Sequence, residues 1–343
     1  MKKLIALLLI GTFLLTACGN ATSSKEAAGQ EDTIQADANY YAQANLSSLK
    51  NKKIGITIQS LDNAYWAGVM AGLEEVLEAN GADYKLITCD QNVDTQIGQI
   101  ENFITHEYDF ILVHAADKSA VEDICKKARN KGIKVMCWDD TMENSDVNWI
   151  LDNSYLGVEI GKLAGDFINQ HYDENNKAKV CMIGYNSLEV LLERANGIKE
   201  GMEEVAGGKF EIVAEVDGLD PESAQMAMDD VLAKTPDCNI AVGIGSGAMI
   251  GANESYMNYY KSKIPENVGV ITTDVTKRQL NSILGEEACR GLIGFEGSDV
   301  QTGTAAASMI ALILADKQGA HNVYREISPV TTENVADILA DMK

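Results

Sequence analysis

The stretch Lys53-Ile54-Gly55-Ile56-Thr57-Ile58 is the clearest indication of the fold, together with the helix pattern over residues 64–80 that follows it. Its apolar residues are almost continuous, which is typical of a strand buried on both faces of a parallel sheet. The next segment places Trp66 and Leu73 on one apolar helical face, and Gly81 ends the helix. A buried strand followed by an amphipathic helix predicts the first unit of an α/β fold.

The same unit recurs through the rest of the chain. Further strands are predicted at residues 84–88, 110–114, 134–138, 180–183, 211–216, 240–242, 268–272 and 291–295. Helices are predicted over residues 93–105, 119–131, 155–172, 191–205, 222–234, 248–260, 277–284 and 300–315. This alternation predicts parallel sheets covered on both faces, and the strands divide into two doubly wound lobes. Ligands of such sheets bind beyond the carboxyl ends of the strands, so the residues after each strand are site candidates.

The N-terminus has the pattern of a secretory signal, with Met1-Lys2-Lys3 before an apolar run over residues 4–15. This run is shorter than the roughly 20 apolar residues that span a bilayer. Leu15-Thr16-Ala17-Cys18 resembles the lipobox of bacterial lipoproteins, which implies cleavage after residue 17 and a lipid on Cys18. An ordinary cleaved signal with an incidental cysteine is the alternative. We expect residues 1–17 to be a lipoprotein signal peptide and residues 18–50, poor in large apolar groups, to be a flexible tether. Its last part could instead pack on the body, because Tyr40, Tyr41 and Leu46 could form a short helix there.

The chain is strongly acidic, with 28 basic and 51 acidic residues and a formal net charge of −23. Loss of Lys2 and Lys3 with the signal makes the mature chain more acidic still. Nucleic acids and anionic membrane surfaces are bound by basic patches, so this charge argues against both as partners. It also disfavours anionic ligands at long range.

The sequence offers little for catalysis or for a metal. Six cysteines follow Cys18, but they are scattered, without a Cys-x-x-Cys pair. We expect mostly free, buried thiols and no metal, with one disulfide as the alternative. The four histidines are dispersed, and no nucleophile elbow, His-Glu-x-x-His or Walker loop occurs. Gly243-x-Gly245-x-Gly247 lacks the dinucleotide-binding spacing. We therefore expect neither enzyme activity nor a cofactor.

Polar and aromatic side chains gather directly after the predicted strands. Gln59, Asn63, Tyr65 and Trp66 follow residues 53–58, Asp139 and Asp140 follow residues 134–138, Arg194 lies on helix 191–205, and Asp274 and Glu296 follow residues 268–272 and 291–295. Carboxylates accept hydroxyl hydrogens, arginine donates in a fixed fork, and ring faces cover C–H surfaces. This combination suits a polyhydroxylated ligand.

In their order and spacing, several short motifs resemble the periplasmic sugar-binding proteins of the ribose/galactose type, relatives of the lac-repressor core. The motifs are Asp62-Asn63-Ala64-Tyr65-Trp66, Val135-Met136-Cys137-Trp138-Asp139-Asp140, Asp152-Asn153-Ser154-Tyr155-Leu156-Gly157, Arg194-Ala195-Asn196-Gly197, Thr272-Thr273-Asp274 and Pro329-Val330-Thr331-Thr332-Glu333-Asn334-Val335. The resemblance covers about residues 53–334. It implies a type I periplasmic binding protein fold, whose two lobes hold a ligand between them and are joined by a hinge of three crossovers, near Asp152, Gly297 and Tyr324.

The resemblance also implies the ligand contacts. They are Asn63, Tyr65, Trp66, Asp139, Arg194 and Asp274, to which we add Gln59, Asp140 and Glu296 as further candidates from the same loops. Asp140 stands where the family often has an arginine, and Leu192 where ribose binders have another. The pocket is therefore expected to be unusually acidic and to suit a neutral polyol or an amino sugar rather than a phosphorylated sugar.

Each of these residues also has a purely structural alternative. Asn63 could only cap its helix, Tyr65 and Trp66 could pack in the core, and Arg194 could form a salt bridge between helices. Asp139 and Asp274 could be cap or hinge residues.

The expected N-terminal lobe comprises residues 51–152 plus 297–324, and the C-terminal lobe comprises residues 153–296 plus 325–343. We expect a monomer, lipid-anchored at the outer face of the cell membrane, that captures a sugar-like ligand and delivers it to the permease of an ABC transporter. A receptor subunit that presents its closed form to a chemoreceptor or histidine kinase is the alternative, because only the partner would differ. A glycan-processing enzyme is a third, less favoured class.

Overall fold

The computed structural model describes residues 33–342. The expected signal peptide, Cys18 and the first part of the expected tether lie outside the described residues. Within residues 33–342, no helix has the length and apolar character needed to cross a membrane. The six cysteines of this range are buried and free.

The described residues form thirteen strands and eleven α-helices, with a short 3-10 helix at Leu46–Leu49. The strands are β1 (Thr33–Gln35), β2 (Lys53–Ile58), β3 (Asp83–Thr88), β4 (Phe110–Val113), β5 (Lys134–Trp138), β6 (Val147–Ile150), β7 (Ala178–Gly184), β8 (Phe210–Asp217), β9 (Ile240–Gly243), β10 (Gly269–Thr273), β11 (Cys289–Phe295), β12 (Asn322–Tyr324) and β13 (Ile327–Val330). The helices are α1 (Ala38–Tyr41), α2 (Ala64–Ala79), α3 (Val93–Thr105), α4 (Lys118–Asn130), α5 (Asn153–His171), α6 (Glu189–Ala206), α7 (Pro221–Lys234), α8 (Ser246–Tyr259), α9 (Lys277–Leu284), α10 (Asp299–Leu314) and α11 (Val335–Asp341).

The strands form two sheets, each the centre of one lobe. The sheet of the first lobe has the order β1-β12-β6-β5-β4-β2-β3, with parallel neighbours throughout. The sheet of the second lobe has the order β13-β11-β10-β9-β7-β8, and only β13 is antiparallel to its neighbour in this sheet. Helices pack on these sheets in pairs, such as α2 with α10 and α5 with α6. The prediction of an α/β fold with two doubly wound lobes is confirmed.

The chain passes between the two sheets three times: after β6, after β11 and after β12. These three passages are called the hinge below. The second and third passages are joined by a backbone hydrogen bond from the Glu296 N–H to the Glu326 carbonyl at 3.1 Å. The third passage is also joined to the first lobe, because the Arg325 N–H donates to the Ile150 carbonyl at 2.8 Å.

Close packing of α5 against α6 fixes the position of the second-lobe arginine Arg194. A Cβ atom on Gly161 would overlap the Ile198 carbonyl oxygen, and one on Gly201 would overlap the Val158 carbonyl oxygen. Any larger residue at these two positions would force the helices apart. A Cβ atom on Gly157 would likewise overlap the Arg194 carbonyl oxygen, so these glycines hold α6 directly against α5 from Arg194 onward.

The expected flexible tether, residues 18–50, does not extend to residue 50. Residues 33–49, called the N-terminal arm below, fold onto the first lobe: β1 pairs in parallel with β12, and Ala36 and Leu49 are 0% exposed. The arm is poor in large apolar side chains, as its composition indicates. It needs no core of its own, because the edge of an existing sheet provides its backbone hydrogen-bond partners.

Candidate functional site

Three of the predicted carboxylate residues directly follow strands and share a left-handed backbone conformation. Asp139 follows β5, Asp274 follows β10 and Glu296 follows β11, with φ values of 59°, 68° and 48°. This conformation costs a non-glycine residue roughly 1–2 kcal/mol. Strain of this kind is concentrated at functional sites, so it marks the carboxyl edges of the two sheets as the candidate site.

A buried arginine at the hinge joins two of these carboxylates. The Arg325 side chain is 0% exposed, and its Nη1 donates to Asp139 Oδ1 at 2.7 Å and its Nη2 to Glu296 Oε2 at 2.9 Å. Burial alone would lower the pKa of Arg325, but Glu296 and Asp139 raise it well above its ordinary value. Burial raises the pKa of Glu296, and the positive charge of Arg325 opposes that rise. Asp139 of the first lobe and Glu296 of the hinge are thus paired inside the protein through Arg325.

Aromatic rings enclose this arginine. The Arg325 Cζ atom lies 4.6 Å from the ring centroid of Trp149, 5.0 Å from that of Phe295 and 5.7 Å from that of Trp138. The Tyr65 hydroxyl accepts a hydrogen bond from Arg325 Nη2 at 3.3 Å, and Tyr65 is 4% exposed. In this structure Tyr65 therefore packs in the core, which was its structural alternative.

The second lobe holds its charged groups with neutral partners. Arg194 donates from Nε and Nη2 to Asn153 Oδ1 at 3.1 and 2.6 Å, and from Nη1 to the Ile244 carbonyl at 2.6 Å. The Asp274 side chain accepts the Ser246 backbone N–H at 2.7 Å, and the residue is 7% exposed. Among the described residues neither group is hydrogen-bonded to a counter-ion, because amides and a backbone carbonyl orient them.

Charged groups of the two lobes act on one another. Burial lowers the pKa of Arg194, and the negative charges of Asp274 and Asp139 oppose this. Burial raises the pKa of Asp274, and the positive charges of Arg194 and Arg325 oppose that rise. Asp139 lies in the first lobe and Arg325 at the hinge, so charges of the first lobe and of the hinge influence the two second-lobe groups.

Trp66 and His114 extend the aromatic lining of the first lobe. The two rings are stacked, with centroids 4.3 Å apart and an interplanar angle of 24°. Nδ1 of His114 and Nε1 of Trp138 are buried and lack a hydrogen-bond partner among the described residues. Burial lowers the pKa of His114 to about 4, so its ring is neutral at neutral pH. His114 is therefore a candidate contact for a ligand hydroxyl that sequence reasoning missed.

The remaining predicted contacts have partners within the first lobe. Asn63 is exposed and caps α2, with its Oδ1 accepting a backbone N–H of the first turn at 2.8 Å. Gln59 Nε2 donates to the Ala115 carbonyl at 2.6 Å. Asp140 forms an ion pair with Lys118 at 2.7 Å, and its side chain is 34% exposed. Asn63 thus has its alternative role as a cap, and Asp140 is screened by solvent and by Lys118.

The site is less acidic than the sequence indicates. Two of the carboxylates expected to make it acidic, Asp139 and Glu296, share Arg325. Sequence reasoning missed this arginine, although a signal was available: the third crossover was expected near Tyr324, and Arg325 is the next residue. The side-chain direction that brings it onto Asp139 is a tertiary property.

Two hollows of the second lobe lie apart from the predicted contacts. The larger, of about 510 Å³, is open to solvent and is lined by residues that include Glu174, Lys179 and Asp237. Among residues 33–342, no group of three or more His, Cys, Asp or Glu side chains is arranged to hold a metal ion. A cavity of about 100 Å³ in the second lobe is lined by residues that include Met182, Asn186 and Leu192. It is smaller than ligand pockets, which start at about 300 Å³. None of the predicted contacts lines it.

Comparison with known proteins agrees with this architecture. The family model described as periplasmic binding protein domain matches residues 54–318. The ABC transporter periplasmic-binding protein YphF of Escherichia coli is 20% identical over 251 residues, which are 71% of this chain and 76% of that protein. The ribose import binding protein RbsB of Bacillus subtilis is 22% identical over 286 residues, covering 82% of this chain and 85% of that protein.

Solved structures with the same fold include two with bound small molecules. An ABC transporter solute binding protein from Bacillus halodurans with bound myo-inositol has a TM-score of 0.68 and 20% identity, covering 85% of this chain and 98% of that one. One from Actinobacillus succinogenes with bound D-allose has a TM-score of 0.71 and 18% identity, covering 84% of this chain and 100% of that one. The family model spans most of the chain, and the two-sheet topology agrees with these structures. The chain therefore belongs to the periplasmic binding protein domain family.

Proposed function

We propose that this protein binds a neutral, hydroxyl-rich small molecule, a sugar or a polyol, between its two lobes. The observation that carries the proposal is the position of three charged groups at the carboxyl edges of the sheets. Asp139 and Asp274 directly follow β5 and β10, and Arg194 donates to the carbonyl of Ile244, the residue after β9. A carboxylate offers about four acceptor positions. Asp274 receives hydrogen bonds from Ser246 alone among the described residues, so it retains capacity for ligand hydroxyls.

A neutral ligand fits the charge balance better than an ionised one. Arg325 already neutralises part of the first-lobe charge, so a ligand cation has no unpaired carboxylate there to meet. A phosphorylated sugar would approach a chain with a net charge of −23 and a site that still holds several carboxylates. Ribose, myo-inositol and D-allose, the ligands of the related proteins, are neutral and hydroxyl-rich, which supports the same class here.

We further propose that Cys18 carries a lipid, and that the protein works as a monomer at the outer face of the cell membrane. The lipobox-like residues 15–18 support the anchor. In this proposal, closure of the lobes over the ligand is recognised by the permease of an ABC transporter. The similarity to binding proteins of ABC transporters supports that partner. The role is binding without chemical turnover.

Calorimetric titration of the mature chain with a ligand panel tests the proposed ligand class. The panel contains D-ribose, D-xylose, D-allose, myo-inositol, D-glucosamine and D-ribose 5-phosphate. At least one neutral member should bind with a Kd near 1 μM, about −8 kcal/mol, and the phosphate should not bind. Binding of D-ribose 5-phosphate alone would contradict the proposal.

Uptake in cells tests the proposed partner. With the panel member that binds, cells lacking this protein should accumulate less radiolabelled ligand than cells carrying it. Cys18→Ala should release the protein from membranes. Normal uptake without the protein would overturn delivery to a permease and favour the receptor alternative.

A further inference from the structure

The N-terminal arm contacts the buried charges at the hinge. The Tyr41 hydroxyl donates to Glu296 Oε1 at 3.1 Å and accepts from Trp149 Nε1 at 3.0 Å. The same glutamate is bound by Arg325, which stacks over the Trp149 ring with its Cζ 4.6 Å from the centroid. Tyr41 is therefore hydrogen-bonded to the anion and to the indole that together surround Arg325.

The rest of the arm is attached to the third hinge passage. The Ala36 N–H donates to the Tyr324 carbonyl at 2.8 Å, and Gln35 Nε2 donates to the Arg325 carbonyl at 2.8 Å. β1 adds these residues to the sheet in register with β12, the strand that leads into the same passage. The arm thus contacts the second passage through the Tyr41 side chain. It contacts the backbone of the third passage through the Ala36 N–H and the Gln35 side chain.

We propose that Tyr41 is a positioning residue of the ligand site, and that through it the N-terminal arm holds Glu296, Arg325 and Asp139 in their ligand-binding arrangement. The inference rests on the proposed function, because it assigns a regulatory role at the same site. The segment that leads toward Cys18 then sets the affinity of the binding cleft. It is part of the hinge as well as a connection to the membrane.

The contacts within the charge cluster of Glu296, Arg325 and Asp139 explain how the Tyr41 hydroxyl can affect ligand binding. Glu296 accepts from Tyr41, Arg325 and Thr302, and the neutral Tyr65 hydroxyl and the charge of Asp139 also face it. Without the Tyr41 hydroxyl, one Glu296 oxygen loses a donor and Trp149 Nε1 loses its acceptor. A buried group left without its partner costs free energy, and the side chains around it move to recover one. The hydrogen bond from Tyr41 also lowers the pKa of Glu296, so its loss makes this carboxylate easier to protonate.

The neighbouring tyrosine provides a matched control. Tyr40 is also half-buried, but its hydroxyl donates to the Gln318 carbonyl at 2.8 Å, away from the charge cluster. Tyr41→Phe and Tyr40→Phe therefore remove the same atom from adjacent residues of one arm. The chain has three tryptophans, and Trp66, Trp138 and Trp149 form one row with ring centroids 5.3 and 4.7 Å apart. Tryptophan fluorescence consequently reports on this site without a ligand.

The experiment uses the mature chain with Cys18→Ser, which keeps it in solution, and titrates wild type and both variants with D-ribose, D-allose and myo-inositol between pH 4 and 8. Tyr41→Phe should weaken binding about tenfold. It should also move the acid limb of both the affinity and the tryptophan fluorescence to higher pH, because Glu296 protonates earlier. Tyr40→Phe should leave both within error of wild type.

Equal behaviour of the two variants, or an unchanged acid limb in Tyr41→Phe, would overturn the inference. If wild type binds neither these three compounds nor D-xylose, the proposed ligand class fails instead. The fluorescence titration then still decides whether Tyr41 controls the cluster.

Discussion

The carboxylates of the two regions differ in whether a counter-ion is bound to them. In the first lobe and hinge, Asp139 and Glu296 share the buried guanidinium of Arg325. In the second lobe, Asp274 is held by Ser246, and Arg194 by the amide of Asn153 and a backbone carbonyl. The first arrangement pairs its charges internally, whereas the second orients them and leaves them unpaired.

This difference separates two roles that look alike in sequence. A buried ion pair is costly to break, because the partner left behind remains charged and desolvated. The first-lobe cluster should therefore govern stability and the geometry of the hinge. Charges oriented by neutral groups can be completed by a ligand, so the second lobe should govern affinity.

Removal of Arg325 should have the largest effect. Arg325→Met leaves the buried Glu296 and the partly buried Asp139 without a counter-ion and should lower the free energy of unfolding by about 3–5 kcal/mol. Urea unfolding followed by circular dichroism measures this. Adding Glu296→Gln to Arg325→Met should restore part of the loss, since one uncompensated charge is removed. An Arg325→Met variant as stable as wild type would remove the basis for a structural first-lobe cluster.

Substitution of Asp274 should have the largest effect on ligand affinity. Asp274→Asn should weaken binding about 100-fold, or about 2.7 kcal/mol, while the fold is kept. Asparagine tolerates the left-handed φ of 68°, and its amide oxygen still accepts the Ser246 N–H. Calorimetry and thermal unfolding of the same preparation separate the two effects. Unchanged affinity would mean that the second lobe does not supply the ligand contacts.

Asp299 extends the comparison between paired and unpaired carboxylates, because it is buried and no arginine neutralises it. It is 5% exposed at the start of α10, accepts the Val300 N–H at 2.7 Å, and burial raises its pKa to about 6. Because this pKa is raised on folding, stability falls as the pH rises from about 4 to 6 and is flat above. Asp299→Asn removes this loss and should raise the free energy of unfolding by up to about 2 kcal/mol at pH 7.5.

The advantage of Asp299→Asn should shrink at pH 4, where the native carboxyl of wild type is already protonated. Thermal unfolding at the two pH values measures it, with Asp140→Asn as the exposed control. An advantage that is the same at both pH values would show that Asp299 is ionised throughout.

Asp140 should have the smallest effect. Its carboxylate is partly exposed and paired with Lys118, and surface pairs contribute about 0–1 kcal/mol. Asp140→Asn should change ligand affinity less than about threefold. A loss as large as that of Asp274→Asn would return Asp140 to the site and would make the cleft as acidic as its sequence suggests.

The sequence predicts the repeating units better than the connections. Helix α3 was predicted at its observed residues, 93–105, because its apolar periodicity and caps are local signals. Strands β1 and β12, of three residues each, carry no periodic pattern, and they form by pairing at a sheet edge. The arm was consequently assigned to the tether.

In the candidate site too, some residues could be predicted from local sequence patterns and others could not. The residues after the strands, Asp139, Asp274 and Glu296, could be found because a parallel sheet directs its ligands to the carboxyl edge. Their partners could not, because the pairing of Arg325 with Asp139 joins residues 186 positions apart. Tyr41 on Glu296 is a contact over 255 positions. Which carboxylate is neutralised is decided by such tertiary contacts.

A crystal structure of the mature protein with the tightest-binding member of the neutral panel shows directly whether the second lobe supplies the ligand contacts. The expected result is ligand density between the carboxyl edges of the two sheets. Ligand hydroxyls should lie within hydrogen-bond distance of Asp274 and Arg194, and the Arg325 ion pairs should be intact. Ligand bound elsewhere, such as in the second-lobe cavity beside Met182 and Leu192, or bound between the lobes without contact to Asp274 and Arg194, would contradict it.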